Sequence, residues 1–462
     1  MRHFVYKSLE ELERAAAEVG TQHVRFEADP DKVRRILARG VRVGRFTSSN
    51  SMAIQPMEGC DGTLDGRPGE LTWRRYGRFA RGGAGLIWFE ATAVREDGRA
   101  NTRQLWITRQ NVSDFARLRE LLGDAIVPIQ LTHSGRYSVP RRIIAYHNSH
   151  IDLKTDIPPD YPLINDDELE RLEDDYVSAA GLALSAGFEA VDIKAVHGYL
   201  ISELLGAKTR PGRYGGPLEN RLRFLRNVIG KIRAAFGSRL MIAVRMNAFD
   251  GVPFQREPAS GLGKPCNFAI PYRCGWGVDE SNPLEEDLTE VKQAIEWFRQ
   301  WGVELFNISL GSPYYNPHIG RPFEKPDEGN YEQPEHPLLG VDRHFRIAAE
   351  LQRTFPDLPI VGTGYSWLQK YAINAGAYNV DEGNIQFVGI GRGALAYPDF
   401  AHDVLEKGEL DERRCCKTLT YCTYLMRQKS HPLGQFPTGC PPFDKEVYGE
   451  VIKLARHAAH RR

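Results

Sequence analysis

Several side chains able to bind anions or to transfer protons follow short apolar segments of the chain. Lys194 ends the segment AVDIK, with His197 and Tyr199 close behind it, and Arg245 ends the segment IAVR. A tyrosine with a pKa of about 10 stays protonated at neutral pH and can act as an acid. A buried arginine is costly unless an anion pairs with it. These residue types indicate anion binding and proton transfer, although an isolated His-Gly-Tyr is more often structural.

Short apolar runs alternate with helical patterns eight times, and this alternation must position those side chains. The runs are continuous, as expected of parallel strands covered on both faces. The predicted strands are Met52–Met57, Gly85–Glu90, Ile126–Leu131, Ala190–Lys194, Met241–Met246, Leu305–Ser309, Pro359–Gly362 and Ile385–Gly391. The predicted helices are Glu70–Arg81, Arg109–Leu122, Asp166–Ala186, Leu218–Ala235, Leu284–Trp301, Val341–Thr354 and Trp367–Ala375, with a last helix beginning near Asp399.

Eight such units predict an α/β fold, a (β/α)8 TIM barrel whose catalytic loops follow the carboxyl ends of the strands. An open doubly wound sheet is the alternative. Three predicted loops are long and rich in Gly, Pro, Tyr and Phe: Arg136–Asn165, Ala248–Pro283 and Leu310–Leu339. Because long loops in a compact domain are usually functional, we expect them to form the walls of a substrate pocket.

The chain divides into three predicted regions. Residues 1–45 form an N-terminal extension, residues 46–408 the barrel, and residues 409–462 a C-terminal tail without the pattern of a second domain. The 462 residues carry no formal net charge, which argues against nucleic-acid and membrane partners. No signal-peptide pattern and no run of about 18 apolar residues occurs. We therefore expect a cytoplasmic protein acting on a small molecule, with the oligomeric state open and a homo-oligomer among the choices.

Five sequence blocks occur in the order known from one enzyme family. The longest spans Val191–Leu225 and includes YGGPLENR; the others are AIQPMEG, FARGGAGLIWFEATAV, PIQLTHSGR and VGIGRGALAYPDF. Together they cover roughly residues 45–405, and their spacing fits eight strand–helix units. The chain therefore resembles the Old Yellow Enzyme group of NADH:flavin oxidoreductases, with the barrels of 2,4-dienoyl-CoA reductase and trimethylamine dehydrogenase among the relatives.

This resemblance implies an FMN site at the mouth of the barrel, with NADH or NADPH as the reductant. Gln130 matches the glutamine that pairs with the pyrimidine edge of the flavin, and Arg245 the arginine near N1. The phosphate would lie where barrels commonly bind phosphate, after the last two strands. The residues implied for that position are Gly362, Thr363, Gly364, Gly391 and Arg392. Those implied for the face and edge of the ring are Pro56, Met57, Glu58 and Ala91.

The same resemblance implies roles for three catalytic candidates. Tyr199 matches the tyrosine that gives a proton to the α-carbon of an activated alkene, while hydride reaches the β-carbon. His197 matches one of the two residues that hold the substrate carbonyl oxygen. Lys194 occupies the position of the other, where the family usually has histidine. A lysine has three donors and no acceptor, so the substrate is expected to be electron-rich or negatively charged.

Two further departures from the family pattern concern Glu58 and the tail. A carboxylate at position 58 would repel the reduced flavin unless Lys194 or a proton neutralises it. In the tail, the four cysteine positions of an iron–sulfur motif fall on Leu419, Cys422, Met426 and Cys440. Two thiolates are missing, so the sequence argues against a 4Fe-4S cluster and for a degenerate remnant of one. No metal site is predicted.

Three alternatives to an alkene reductase stay open at this stage. The first keeps the flavin but oxidises an amine or another C–H bond. The second is a Schiff-base lyase that uses Lys194, which would leave Gln130 and Tyr199 without a function. The third is a non-catalytic flavin-binding protein, against which the complete set of donors argues.

Overall fold

Parallel strands close into a barrel in the computed structural model, which describes residues 3–460. The strands are β1 (Arg42–Val43), β2 (Phe46–Thr47), β3 (Met52–Ile54), β4 (Leu86–Ile87), β5 (Phe89–Ala93), β6 (Pro128–Thr132), β7 (Ala190–Ile193), β8 (Met241–Phe249), β9 (Phe254–Arg256), β10 (Gly263–Pro265), β11 (Leu305–Leu310), β12 (Ile360–Gly362) and β13 (Phe387–Ile390).

Helices surround this barrel and continue into the tail. They are α1 (Leu9–Val19), α2 (Pro30–Leu37), α3 (Glu70–Ala80), α4 (Val112–Leu121), α5 (Ser149–Lys154), α6 (Asp166–Ser185), α7 (Leu200–Leu205), α8 (Leu218–Arg221), α9 (Arg223–Phe236), α10 (Thr289–Trp301), α11 (Pro317–Gly320), α12 (Pro337–Thr354), α13 (Ala372–Asp381), α14 (Arg392–Ala396), α15 (Phe400–Lys407), α16 (Tyr421–Arg427) and α17 (Lys445–His460). Among residues 3–460, none of them combines the length and the apolar character that crossing a bilayer requires.

The strand order closes the sheet on itself. The order is β4-β3-β13-β12-β11-β8-β7-β6-β5, and every neighbouring pair is parallel. Only Trp88 separates β4 from β5, so these two segments are one barrel strand with a break. The TIM-barrel prediction is confirmed, all eight predicted strands are present, and the open-sheet alternative is wrong.

Helix α6 illustrates how the sequence builds the outer layer. Asn165 caps its first turn by accepting a hydrogen bond from the backbone N–H of Glu168 (2.7 Å), and acidic residues follow where the helix dipole favours them. The buried side chains recur every three or four positions and face the barrel. They include Leu169, Leu172, Tyr176, Ala179, Ala180 and Ala183.

The amino-terminal half of the barrel interior is a separate apolar core. The antiparallel β1–β2 hairpin packs against it through Val43 and Phe46 and closes that end of the barrel. Inside, the strands contribute Ala53, Leu86, Trp88, Ala190, Met241, Ala243, Leu305, Val361 and Phe387. Because this end is filled with apolar side chains, polar chemistry is confined to the opposite, carboxyl-terminal end.

Helix boundaries and the long loops differ from the sequence-based expectation. The helix predicted to begin at Leu284 begins at Thr289, because a bridge between Val278 and Glu286 holds the preceding segment in extended form. The predicted helix from Leu218 divides at Leu222 into α8 and α9. The three long loops are partly regular, since they contain α5, the β9–β10 hairpin and α11.

The first of these loops is anchored by a buried arginine. Arg136 is 1% exposed and forms ion pairs with Asp152 of α5 and with Glu203 of α7. It also donates a hydrogen bond to the backbone oxygen of Tyr146 (2.8 Å). One guanidinium therefore joins three segments that lie beside the mouth of the barrel.

We predict that Arg136→Met lowers the free energy of unfolding by about 3–5 kcal/mol, because two buried carboxylates lose their partner. The midpoint of urea denaturation measures the loss. Arg413→Met is the control, since that side chain is 89% exposed and its ion pair with Asp411 contributes about 1 kcal/mol or less. Equal shifts for the two variants would contradict the prediction.

Candidate active site

A cavity of about 200 Å³ occupies the carboxyl-terminal mouth of the barrel. Thirteen of the fourteen site residues that the sequence predicts contribute to its wall: Pro56, Met57, Glu58, Ala91, Gln130, Lys194, His197, Tyr199, Arg245, Thr363, Gly364, Gly391 and Arg392. Gly362 does not; its carbonyl oxygen lies in the strand layer and accepts a hydrogen bond from Gln55 Nε2 (3.4 Å). The barrel thus brings together residues that lie far apart in the chain.

A buried carboxylate fixes one side of this cavity. Asp192 accepts hydrogen bonds from Trp88 Nε1 (2.7 Å), from Gln130 Nε2 (2.7 Å) and from the backbone N–H of Arg245 (2.6 Å). Burial raises the pKa of Asp192 to about 6, against these hydrogen bonds, which lower it. Since a carboxylate only accepts, Asp192 sets the orientation of the Gln130 amide and leaves its carbonyl oxygen and second N–H for the cavity.

Three buried guanidinium groups around the cavity have N–H groups without a hydrogen-bond partner in the protein. These are Nε of Arg245, Nη1 of Arg392, and both Nε and Nη2 of Arg321. Arg392 donates to the backbone oxygen of Pro322, and Arg321 donates to Thr423 Oγ1. Burial lowers the pKa of Arg321, and the like charge of Arg392 lowers it further. Unpaired donors on buried cations are costly, so this arrangement suits an anionic ligand.

Backbone approaches the cavity closely beside Arg392. Gly364 has φ of +95°, and a Cβ there would lie 2.9 Å from the Cβ of His344. The Thr363 hydroxyl is already engaged, with His344 Nδ1 at 2.9 Å and the Ile308 carbonyl oxygen at 3.1 Å. The segment therefore presents backbone rather than side chain to a ligand.

The three catalytic candidates are adjacent. Lys194 Nζ lies 3.7 Å from the centroid of the Tyr199 ring, and Tyr199 Oη lies 3.1 Å from Tyr314 Oη. His197 has φ of +65° and places Nε2 3.4 Å from Ser309 Oγ. Burial, then the charges of Arg245 and Lys194, hold the pKa of His197 well below its ordinary value, so its imidazole is neutral at pH 7.

Burial and neighbouring charges shift the pKa values of Lys194 and Glu58. Burial lowers the pKa of Lys194 to about 8; Glu58 opposes this shift and Arg245 adds to it. Burial raises the pKa of Glu58, while Lys194 and a hydrogen bond from Asn101 Nδ2 (2.9 Å) counteract it. Among residues 3–460, no carboxylate oxygen lies within 4.0 Å of Lys194 Nζ. The Lys194 ammonium therefore keeps donors for a ligand.

Sequence reasoning missed several wall residues. Arg321 and Tyr314 come from the long loop after β11, which does form a wall as expected, whereas neither the long loop after β6 nor the loop with β9 and β10 contributes a residue to this cavity. The tail does more than pack on the barrel, because Cys422, Thr423, Met426 and Arg427 line the cavity. An apolar pattern could not have shown this, since α16 is short and its contacts are tertiary.

Comparison with known proteins decides the family. A sequence profile described as the NADH:flavin oxidoreductase / NADH oxidase family matches residues 38–257. The NADPH dehydrogenase of Listeria monocytogenes serovar 1/2a is 31% identical over 276 residues, which are 57% of this chain and 70% of the dehydrogenase. The chain belongs to the NADH:flavin oxidoreductase family. It is therefore an oxidoreductase, and the lyase and non-catalytic alternatives lose their support.

The structural likeness to solved proteins covers more of the chain than the sequence match to the dehydrogenase does. An Old Yellow Enzyme homologue from Zymomonas mobilis has a TM-score of 0.57 at 22% identity, covering 82% of this chain and 94% of that protein. A 2-naphthoyl-CoA reductase in complex with 2-naphthoyl-CoA has a TM-score of 0.64 at 17% identity. That likeness covers 85% of this chain and 55% of the reductase, so this flavin oxidoreductase spans about half of the larger chain.

We predict that Lys194 titrates with a midpoint of about 8, well below the ordinary 10.5, because burial disfavours its charge. Glu58→Gln should lower the midpoint further, since the Glu58 carboxylate stabilises the ammonium. NMR of protein labelled with 13C at lysine Cε measures the titration, and Lys194→Met assigns the signal. A midpoint near 10.5, or a rise in Glu58→Gln, would contradict this account.

Proposed function

We propose that this flavin oxidoreductase binds FMN at the barrel mouth and uses NADH or NADPH to reduce an activated C=C bond in a carbonyl-bearing, acidic substrate. The observation that carries the proposal is the set of unpaired donors on Arg245, Arg321 and Arg392, arranged along one cavity with the Gln130 amide. The isoalloxazine ring of FMN needs hydrogen-bond donors, hydrogen-bond acceptors and a positive charge at its polar rim. The phosphate of FMN needs cations and backbone N–H groups.

The residues present fit FMN. Gln130 and Arg245 would hold the polar rim of the ring, with Pro56, Met57 and Ala91 packed against it. Arg392 and Arg321 would hold the phosphate, together with backbone donors near Gly364 and Gly391. FMN, when bound, supplies the hydride that adds to the β-carbon of the alkene. A family relationship to NADPH dehydrogenases supports NADH or NADPH as the reductant.

The protein's own part is to hold the carbonyl and deliver a proton. Burial, and then the neighbouring Glu58, raise the pKa of Tyr199 well above its ordinary value, so its hydroxyl stays protonated. From this position Tyr199 Oη would give its proton to the α-carbon. The neutral His197 imidazole and the Lys194 ammonium would donate hydrogen bonds to the carbonyl oxygen, where negative charge develops.

Lys194 also bears on the alternative of amine oxidation. Its ammonium and the Arg245 guanidinium lie in the same cavity and would repel a protonated amine, and Glu58 is the one acidic residue in a wall that contains five cationic residues. An acidic or electron-rich substrate meets the opposite, favourable interaction. The charges therefore favour alkene reduction over amine dehydrogenation.

We expect purified, FMN-loaded protein to lose its flavin colour anaerobically with NADH or NADPH. Tyr199→Phe should lose colour at the wild-type rate but reoxidise with an enone about 10²–10⁴-fold more slowly, because only the proton transfer is removed. Stopped-flow absorbance separates the two half-reactions. Tyr6→Phe, remote from the cavity, is the control, and protein that cannot take up FMN would refute the proposed function.

Another prediction concerns the contact between Arg321 and the FMN phosphate. Arg321→Gln should weaken FMN binding roughly 10–100-fold, as expected for loss of a charged hydrogen bond, and leave riboflavin binding unchanged because riboflavin has no phosphate. Fluorescence titration of flavin-free protein measures both affinities. Arg413→Gln serves as the exposed control. Equal losses for both flavins would place Arg321 elsewhere than at the phosphate.

A further inference from the structure

A second cavity of about 390 Å³ adjoins the one at the barrel mouth. The two share Tyr314, Met426 and Arg427 as wall residues. We call this second space the outer cavity, and its wall consists of Ala100, Asn101, Thr102, Tyr137, Val139, Arg142, Ile151, Lys154, Thr155, Tyr314, Tyr315, Met426, Arg427, Lys429, Gly434 and Gln435. It lies between the loop after β6 and the tail, beyond Tyr314.

The charged side chains of the outer cavity all have one sign. Arg142, Lys154, Arg427 and Lys429 contribute to its wall, and no Asp or Glu does. The whole chain has equal numbers of acidic and basic residues, so this segregation is local. A concave surface with several cations and no carboxylate attracts and holds anions.

Two of these cations are not neutralised by the protein. Within residues 3–460, no carboxylate oxygen lies within 4.0 Å of the Arg142 guanidinium or of Lys154 Nζ. Arg142 Nη1 donates to the backbone oxygen of Arg136 (2.9 Å), and Lys154 Nζ donates to the backbone oxygen of Phe254. Backbone oxygens hold these side chains in place and leave their charge available.

The third cation lies on the boundary between the two cavities. Arg427 Nη1 pairs with Asp327 (2.6 Å), while its Nη2 is buried and has no hydrogen-bond partner in the protein. Tyr314 lies on the same boundary, with its hydroxyl 3.1 Å from that of Tyr199. Since the two cavities meet at these residues, a ligand that reaches Tyr199 would have to pass Tyr314 and Arg427 to enter the outer cavity.

We propose that the outer cavity is an anion-binding subsite for the phosphate or carboxylate of a ligand whose other end reacts at the barrel mouth. This inference rests on the proposed function, because it takes the barrel mouth as the reacting end. The anion has two sources, either an acidic group on the alkene substrate or the 2′-phosphate of NADPH. In both cases Arg142 and Lys154 bind the anion, while Tyr314 and Met426 pack against the part of the ligand that connects the two ends.

The test compares Arg142→Gln with Arg141→Gln. Arg141 is the exposed neighbour in the same loop, and it does not line the outer cavity. One arm measures reoxidation of the reduced protein by an enone with a flexible phosphonate chain and by its neutral dimethyl ester. The other arm measures reduction of the flavin by NADPH and by NADH, which differ only in the 2′-phosphate.

The expected result is a roughly 10–100-fold rise in KM in Arg142→Gln for the member of one pair that carries the additional anionic group, with the other member and Arg141→Gln unchanged. A rise for the phosphonate enone assigns the subsite to the substrate, and a rise for NADPH assigns it to the coenzyme. Unchanged constants in both arms would overturn the proposal.

A binding measurement separates this proposal from the proposed function. Calorimetric titration of the full-length protein with inorganic pyrophosphate needs no flavin chemistry. We expect pyrophosphate to bind Arg141→Gln as it binds wild type, and Arg142→Gln roughly 10-fold or more weakly. If the protein took up no FMN but kept this difference, only the proposed function would fail. Equal affinities of the two variants would refute the subsite.

Discussion

Buried positive charge without a carboxylate partner among the described residues is the constraint that organises this molecule. Arg245, Arg321, Arg392 and Lys194 meet around one cavity, and within residues 3–460 none of them has a carboxylate oxygen within 4.0 Å. Desolvating such groups costs several kcal/mol each unless a counter-charge is supplied. The apolar core at the other end of the barrel contributes stability against this cost. An anionic cofactor and an acidic substrate would offset the cost.

The site combines a rigid side with an adaptable one. Asp192, Gln130 and Arg245 lie on neighbouring strands and hold one another by short hydrogen bonds, so their geometry is set by the barrel itself. Tyr314, Arg321 and the tail residues come from connecting segments, whose sequence can vary without disturbing the strands. This division suits an enzyme in which the cofactor is constant and the substrate is what distinguishes one family member from another.

Much of the fold and part of the site could be predicted from the sequence. Continuous apolar strands and five ordered motifs were enough to predict the barrel and to gather Gln130, Lys194 and Arg245 at one end, because strand ends in a closed barrel must converge. Helix boundaries were less predictable where tertiary contacts decide them, as at Thr289. Arg321 lies in a long loop outside every motif. No local pattern links it to Arg392, and only the folded chain brings their charges together. The roles of all these residues stay predictions.

The short helix α16 is a wall of both cavities, through Met426 and Arg427. Any substitution that moves this turn of helix changes two binding volumes at once. Recognition of the reactive end of a ligand and recognition of its distant end are therefore not independent traits. During divergence of such enzymes, a single mutation in the tail could exchange one class of compounds for another, while the chemistry at the centre of the barrel is inherited intact.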